Sequence, residues 1–275
     1  MTTMLAARRY TPIARLAATL LALLGALALG GCATTTGGEA AEPLTASDLT
    51  DADRRARVRV ELAAAYFSRG QTETALDEIK QALVAKPDFA DAYNLRGLIF
   101  ASMGEARLAE DSFRRALQLN PRDGDTLHNW AWVMCQQGRF ADADAMFARA
   151  LEQPQYREVP RSLLARGVCQ ARDGRLREAE RTLLRAYEID SGNPATAVNL
   201  SEVLLRLGEH ERARFYVARV NAEPSQSNAQ TLWLAARIER KLGNAVAVSD
   251  LGRQLRARYP QAPETLAFEQ GRFDD

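Results

Sequence analysis

The 275-residue chain has 47% apolar and 26% charged residues, which excludes wholesale disorder and supplies enough apolar side chains for a sizeable core. Lys and Arg number 36 against 35 Asp and Glu, and the Arg residues are interspersed with acids. Because phosphate binding draws on clustered cationic side chains, this balance argues against a nucleic-acid partner.

The first 31 residues have the pattern of an export signal. Arg8, Arg9 and Arg15 precede an uncharged apolar run from Leu16 to Leu29. The run is too short to span a bilayer comfortably, because about 20 residues are needed to cross the hydrocarbon layer. We therefore expect residues 1–31 to be a signal peptide.

The signal segment ends in Leu29-Gly30-Gly31-Cys32. This tetrapeptide resembles the lipobox of bacterial lipoproteins, in which the cysteine thiol takes a diacylglyceryl group. The resemblance implies that Cys32 is the lipidation site and the first residue of the mature chain. Ala33 would then be its second residue, which in the general lipoprotein sorting pattern implies delivery to the outer membrane. The alternative is an ordinary cleaved signal peptide with a chance cysteine. Two or more acyl chains would anchor the protein stably, since each buried methylene contributes about 0.8 kcal/mol.

Residues 32–55 are predicted to be the lipidated cysteine and a flexible tether, because the segment is rich in Ala, Thr, Gly and Glu and has no helical apolar period. From there on, the pattern is helical and repeats. The repeat is marked by glycines spaced 34, 34, 36, 34 and 35 residues apart, which are Gly70, Gly104, Gly138, Gly174, Gly208 and Gly243. Glycine favours the positive φ of a tight helix end, so each is expected to close a helical hairpin.

Small residues follow the same period and match the tetratricopeptide pattern. Ala75, Ala109, Ala143 and Ala179 each stand five residues after a glycine. The predicted fold is all-α, a right-handed superhelical solenoid of about six tetratricopeptide repeat (TPR) hairpins within residues 56–260. The predicted repeats are 56–89, 90–123, 124–159, 160–193, 194–228 and 229–260. The sixth is degenerate, with Gly252 at a position that is normally large and apolar, and residues 261–275 are predicted to form a C-terminal cap or tail.

No set of residues has a catalytic or metal-binding pattern. The only histidines, His128 and His210, are far apart in sequence and lack the spacing of zinc ligands, so we expect both on helix surfaces. No glycine-rich phosphate loop joins a strand to a helix. The sequence therefore predicts neither an enzyme nor a metal site, with no small-molecule substrate and no cofactor besides the lipid on Cys32.

Two cysteines, Cys135 and Cys169, remain in the exported chain. They fall in the first helices of the third and fourth repeats, which are expected to stack side by side. An oxidising compartment favours a disulfide, but the bond needs Cα atoms within about 7 Å. The alternative is a pair of buried free thiols that pack as small apolar residues.

A partner is expected on the concave face, which the first helices of the repeats build. Its hypothetical protein-binding groove in the first three repeats consists of Val60, Phe67, Asn94, Leu98, His128 and Trp132. Phe67, Leu98 and Trp132 are candidate anchors for a peptide. The later repeats supply Arg172, Arg206, Arg237, Arg240 and Lys241, so the groove changes from apolar to basic. The alternative is that superhelical curvature buries these side chains.

The stretch from Asn129 to Phe140, NWAWVMCQQGRF, resembles the third-repeat motif of the type IV pilus biogenesis lipoproteins of the PilF and PilW family, and Gly167-Val168-Cys169 resembles their fourth-repeat segment. Trp130 and Ala131 replace the Tyr and Gly expected there. The resemblance implies a pilotin, a lipoprotein on the periplasmic face of the outer membrane that binds secretin subunits and helps them reach and assemble in that membrane. Its implied partner is thus the type IV pilus secretin.

Two other classes of function share part of this pattern. A general TPR lipoprotein adaptor for peptidoglycan enzymes or other envelope complexes would have every repeat feature. An envelope hydrolase regulated by repeats would need a catalytic domain, and none is recognisable in the sequence.

Overall fold

The computed structural model describes residues 50–273, and helices are the only regular secondary structure in this part of the chain. The predicted signal peptide, Cys32 and almost the whole tether lie outside the described residues. The thirteen helices are α1 Asp51–Ser68, α2 Thr72–Ala85, α3 Ala90–Ser102, α4 Ala106–Leu119, α5 Gly124–Gln136, α6 Phe140–Leu151, α7 Val159–Arg172, α8 Leu176–Ile189, α9 Pro194–Arg206, α10 His210–Ala222, α11 Ala229–Lys241, α12 Ala245–Arg258 and α13 Pro263–Glu269.

The first twelve helices form six hairpins, each of which pairs an odd-numbered helix with the next even-numbered one. Successive odd-numbered helices also contact each other from α1 to α11, so the first helices of the repeats form one continuous layer. This is the TPR solenoid that the glycine spacing predicts.

The hairpin turns need glycine. The six repeat glycines have φ between 74° and 80°, a left-handed conformation that a side chain would strain. Gly97 meets a different need, because a Cβ atom on it would lie 2.7 Å from the ring of Phe113. A Cβ atom on Gly167 would likewise lie 2.5 Å from the side chain of Leu183. These glycines let the two helices of a hairpin approach within van der Waals contact.

Alternating small and large side chains form the core. Between the helices of the first four hairpins, the alanines five and twelve residues after each glycine are at most 1% exposed. Ile79, Phe113, Phe147 and Leu183 lie between these alanines and are fully buried. Dense packing of this kind supplies most of the stabilisation, because each repeat buries its apolar face only against its neighbours.

Helix α1 begins at Asp51, inside the segment that the sequence predicts to be tether. Thr50 explains the early start, because its hydroxyl accepts a hydrogen bond from the Asp53 backbone amide while the Asp53 carboxylate accepts from the Thr50 amide. This capping box satisfies two amides that would otherwise lack partners. Lys86 also pairs with Asp53, and its hydrogen bond is the main cause that lowers the pKa of Asp53 to about 2.

The sixth repeat differs from the others because it packs against α13. Gly252 lies under the ring of Phe268, and a Cβ atom at Gly252 would be 2.2 Å from that ring. The Thr265 hydroxyl donates to the Tyr259 carbonyl at 2.7 Å, which ties α13 to the end of α12. The missing large side chain at position 252 is therefore replaced by Phe268 from the cap.

Candidate functional site

The candidate site is an apolar stripe along the first helices of the first three repeats. Val60 and Phe67 on α1, Leu98 on α3 and Trp132 on α5 are half-buried: one side of each packs against the core and the other remains accessible. Curvature therefore does not bury them completely, as the alternative interpretation required. Half-buried aromatic and aliphatic side chains of this kind are suited to anchor a peptide.

Asn94 belongs to a polar row beside the stripe. Its side-chain oxygen accepts a hydrogen bond from Asn129 on α5 at 3.1 Å, and the Asn129 oxygen accepts from Arg161 on α7 at 3.2 Å. The row crosses three successive first helices. It fixes the spacing of those helices at the edge of the groove.

His128 is not a surface residue, and the expectation that placed it on a helix surface was wrong. Only 5% of the residue is exposed. Its Nδ1 lies 2.7 Å from the Ser162 hydroxyl, which in turn lies 2.7 Å from the Tyr156 hydroxyl. Burial lowers the pKa of His128 to about 4, with a smaller contribution from the charge of Arg161. The imidazole is therefore neutral at pH 7 and part of the core.

Tyr156 is linked to His128 through Ser162. It lies in the connection of residues 152–158, which is longer than the connections 86–89, 120–123 and 190–193. The extra chain folds back so that the ring covers Gly124, where a Cβ atom would be 2.3 Å away. The longer spacing between Gly138 and Gly174 was the signal in the sequence for this loop.

Cys135 and Cys169 form a disulfide between α5 and α7, with their Cα atoms 5.8 Å apart. Both cysteines are buried. Arg172 lies over the bond: its Nη1 is 4.0 Å from the Cys135 sulfur and donates to the Gln136 side-chain oxygen at 3.2 Å. Of the two alternatives left open by the sequence, the structure contains the disulfide rather than two free thiols.

Sequence analysis missed an ionic cluster at the same junction. The Arg166 guanidinium donates to both oxygens of Asp144 at 2.9 and 3.0 Å, and Gln170 donates to the same carboxylate at 2.9 Å. The hydrogen bond from Arg166 is the main cause that lowers the pKa of Asp144. A bidentate pair between α6 and α7 adds directional contacts to the disulfide. No sequence pattern marks this pair, because Arg and Asp occur throughout the helices.

The basic residues of the later repeats also make contacts between first helices. Arg206 donates to the Ala171 carbonyl at 3.1 Å, and Arg237 donates to the Glu202 carboxylate at 3.3 Å. Arg206 and Arg237 are thus engaged in contacts between first helices, and charged residues stand at groove positions of these repeats, unlike in the apolar stripe of the first three.

Across residues 50–273, no group of three or more His, Cys, Asp or Glu side chains is arranged to hold a metal ion. Among the same residues, no helix is long and apolar enough to cross a membrane.

Family models of the tetratricopeptide repeat match four segments of the chain. The model described as "TPR repeat" matches residues 63–104, and three models described as "Tetratricopeptide repeat" match residues 90–123, 130–194 and 170–238. The matches extend from the first hairpin to the sixth.

One curated relative is the type IV pilus assembly protein PilF of Pseudomonas aeruginosa, which is 26% identical over 249 residues, 90% of this chain and 96% of the relative. The solved structure of PilW, described as a widely conserved type IV pilus biogenesis factor, matches with a TM-score of 0.71 and 27% identity over 77% of this chain and 97% of PilW. The structure of Pseudomonas aeruginosa PilF matches with a TM-score of 0.71 and 24% identity, over 81% of this chain and 100% of PilF. The chain is therefore a tetratricopeptide repeat protein homologous to PilF and structurally similar to PilW, two proteins of type IV pilus biogenesis.

Proposed function

We propose that the protein is a pilotin of type IV pilus biogenesis, a lipoprotein that binds secretin subunits and promotes their localisation to and assembly in the outer membrane. The observation that carries this proposal is homology to PilF across nearly the whole of both chains, combined with an accessible apolar stripe on the concave face. The protein acts by binding, and we propose no catalytic step for it.

The lipid on Cys32 would hold the solenoid on the periplasmic face of the outer membrane. Support for this anchor comes from the sequence: a basic start, an uncharged apolar run and two glycines before the cysteine. Attachment to one membrane raises the effective concentration of partners that reach the same membrane. The segment that the sequence predicts to be a tether would space the repeats from the lipid.

The groove would bind an extended or helical segment of the secretin. Phe67, Leu98 and Trp132 come from three successive repeats, so a bound segment that contacts all three must run across the first helices. Burial of their accessible apolar surface on binding contributes about 25 cal/mol per Å². Aromatic side chains commonly dominate such interfaces. The disulfide and the Asp144 pair hold the next helix in place and keep this surface preformed.

Capture of detergent-solubilised secretin by the lipidated full-length protein tests the groove. Phe67→Ala combined with Trp132→Ala is expected to weaken capture by about tenfold or more, because each aromatic hot spot is typically worth at least about 1 kcal/mol. Phe215→Ala is the matched control, since Phe215 is 54% exposed but lies on a second helix, α10. Circular dichroism checks that each variant is folded.

Unchanged capture by the double variant would remove the groove from the proposal. Absence of capture by the unmodified protein would remove the secretin as its partner. If the general adaptor function holds instead, peptidoglycan enzymes rather than secretin would be recovered from envelope extracts.

The anchor has its own test. Cells that express the full-length protein are grown with radiolabelled palmitate, and we expect the label on the unmodified chain but not on Cys32→Ser. Label that persists in Cys32→Ser would contradict the lipidation site. Fractionation of the two strains then shows whether the outer membrane retains the protein through that residue.

A further inference from the structure

The last described residues of the chain lie against the first helix of the sixth repeat. After α13, Gly271 adopts a positive φ of 67° and turns the chain back. The ring of Phe273 then lies 5.0 Å from the ring of Trp233 on α11, measured between centroids. The Arg240 guanidinium lies 5.6 Å from the Phe273 centroid, within the range of a cation–π contact. Phe273 is thus held between an aromatic and a cationic side chain.

The main chain of this segment is recognised as well. Arg237 Nε donates to the Phe273 carbonyl at 3.3 Å, while its Nη1 contacts the Glu202 carboxylate at 3.3 Å. The Glu202 contact orients the guanidinium toward the carbonyl. Side-chain and backbone recognition of one residue is how a peptide segment binds to a groove.

The contacted residues occupy the groove positions of their repeat. Trp233, Arg237 and Arg240 precede the turn glycine Gly243 by the same intervals that separate Val60, Ala64 and Phe67 from Gly70. The C-terminal segment therefore lies on the face that corresponds, in the first repeat, to the proposed partner surface.

Two aromatic residues near the C-terminus have different roles. Phe268 packs on Gly252 and completes the sixth repeat, as described above. Phe273 lies beyond Gly271, remains partly exposed, and contacts Trp233, Arg240 and Phe268 at the surface. Loss of the Phe273 contacts would expose little core, so this segment can leave while the cap stays in place.

The surface continues beyond Phe273. A concavity of about 240 Å³ lies between α9, α11 and α13, and its wall includes Trp233 and Arg237. Two carboxylates, Glu202 and Glu264, also line it, and Glu202 is paired with Arg237. Arg206 and Arg240 add positive charge to the groove positions of the fifth and sixth repeats. In the sequence, Phe273 is followed by Asp274 and Asp275. In sequence, the segment is thus an aromatic residue followed by acids, and the groove positions that Phe273 contacts are aromatic and basic.

We propose that the segment Gly271–Phe273 is a displaceable intramolecular ligand, and that the surface formed by Trp233, Arg237 and Arg240 binds an extended partner segment with an aromatic residue followed by acidic residues. The partner must displace Phe273 to bind. This site goes beyond the proposed pilotin function, because it lies at the opposite end of the solenoid from the apolar stripe and does not depend on the identity of the secretin.

A labelled peptide with the sequence of residues 269–275, Glu-Gln-Gly-Arg-Phe-Asp-Asp, tests the proposal by fluorescence anisotropy. Detergent-solubilised full-length protein is compared with Phe273→Ala and with a second opened variant that ends at Gln270. In the unmodified chain, the peptide can bind only those molecules whose own Phe273 has left the surface, which lowers the apparent affinity. Both opened proteins are therefore expected to bind the peptide about tenfold more tightly than the unmodified chain. A peptide with alanine in place of the phenylalanine should bind none of them.

Equal affinity for the unmodified and opened proteins would show that the segment does not compete, and no binding to either opened protein would show that it is no ligand. Thermal unfolding separates the site from a purely structural cap. We expect Phe273→Ala to lower the midpoint far less than Phe268→Ala, which is the matched variant on α13. Equal losses in the two variants would overturn the proposal.

Discussion

The junction between the third and fourth repeats and the C-terminal end of the solenoid are held together by different kinds of contact. The junction combines a disulfide, a buried chain of polar groups from His128 to Tyr156, and the bidentate pair of Arg166 with Asp144. The end depends on aromatic rings near the surface, with Phe268 over Gly252 and Phe273 over Trp233. The difference indicates a fixed centre and an adjustable end.

The fixed junction and the adjustable end each lie beside one of the two proposed binding surfaces. The apolar stripe on α1, α3 and α5 runs into the fixed junction at Trp132, only three residues before Cys135. A preformed surface loses less conformational entropy on binding. At the other end, the surface on α11 is covered by the chain itself, so a ligand must compete for it. Four predictions test the contrast, in order of decreasing effect.

Removal of the disulfide should have the largest effect on stability. Cys135→Ser combined with Cys169→Ser opens a loop with a sequence separation of 34, for which chain entropy gives about 3–4 kcal/mol. We expect that loss in the free energy of unfolding, measured by urea denaturation followed by circular dichroism. A loss below about 1 kcal/mol would show that noncovalent packing alone fixes the junction.

His128 should make the junction sensitive to acid. Its pKa is about 4 in the folded protein because of burial, against an ordinary value of 6.5, so the unfolded chain takes up a proton first. The contribution of the buried neutral imidazole to the free energy of unfolding is fully present above pH 6.5. It is lost as the pH falls from 6.5 to 4, and the total loss is up to about 3 kcal/mol. Urea midpoints at pH 7 and pH 4.5 measure it.

His128→Gln is the control for this pH dependence, because it keeps a polar side chain that does not titrate. We expect the variant to lose much less stability than the unmodified protein between the two pH values. Asp144 titrates at lower pH than His128, because its pKa lies below the ordinary 3.8. It therefore contributes little to the change in stability between pH 7 and pH 4.5. Equal losses in both proteins would show that His128 does not control the junction.

Gly252→Ala tests the cap. The new methyl group would overlap the Phe268 ring, and overpacking of this kind costs about 1–3 kcal/mol, partly offset by the better helix propensity of alanine. Gly192→Ala is the control, since its Cβ atom would meet only Asp190 at an ordinary 3.6 Å. Thermal unfolding of the two variants gives the comparison. No difference between them would mean that the cap adjusts freely.

Lys80→Ala should have the smallest effect. The pair of Lys80 with Asp77 is 2.8 Å long but its side chains are 76% and 66% exposed, so water and salt screen it. We expect a change within about 0.5 kcal/mol by urea denaturation. A larger loss would show that surface pairs, rather than the junction contacts, hold the repeats together.

Much of the fold was predictable because it depends on local rules. The positive φ of the hairpin turns requires glycine at a fixed period, and that period, together with the small residues that share it, predicts the solenoid. Their register places Phe67 and Trp132 on the groove face of the first helices, whereas their partial exposure depends on superhelical curvature, which the sequence leaves open.

The remaining features depend on contacts that a repeat pattern does not encode. His128 was expected on the surface, because nothing in its own helix shows that Ser162 of the next repeat contacts the imidazole and joins it to Tyr156 of the longer loop. Whether Cys135 and Cys169 bond depends on a distance between helices. The sequence showed Gly252 only as a degenerate position, because Phe268, which fills the space beside it, comes from the helix after the sixth repeat. Phe273 contacts a groove position of α11 from the segment that follows that helix, outside the repeat pattern.

Hydrogen exchange on the lipidated full-length protein, with and without detergent-solubilised secretin, tests the central claim most directly. We predict that secretin slows exchange in the first helices α1, α3 and α5 and leaves the second helices α2, α4 and α6 unchanged, because the partner covers only the concave face. Protection confined to the second helices or to the loops between repeats would contradict the account.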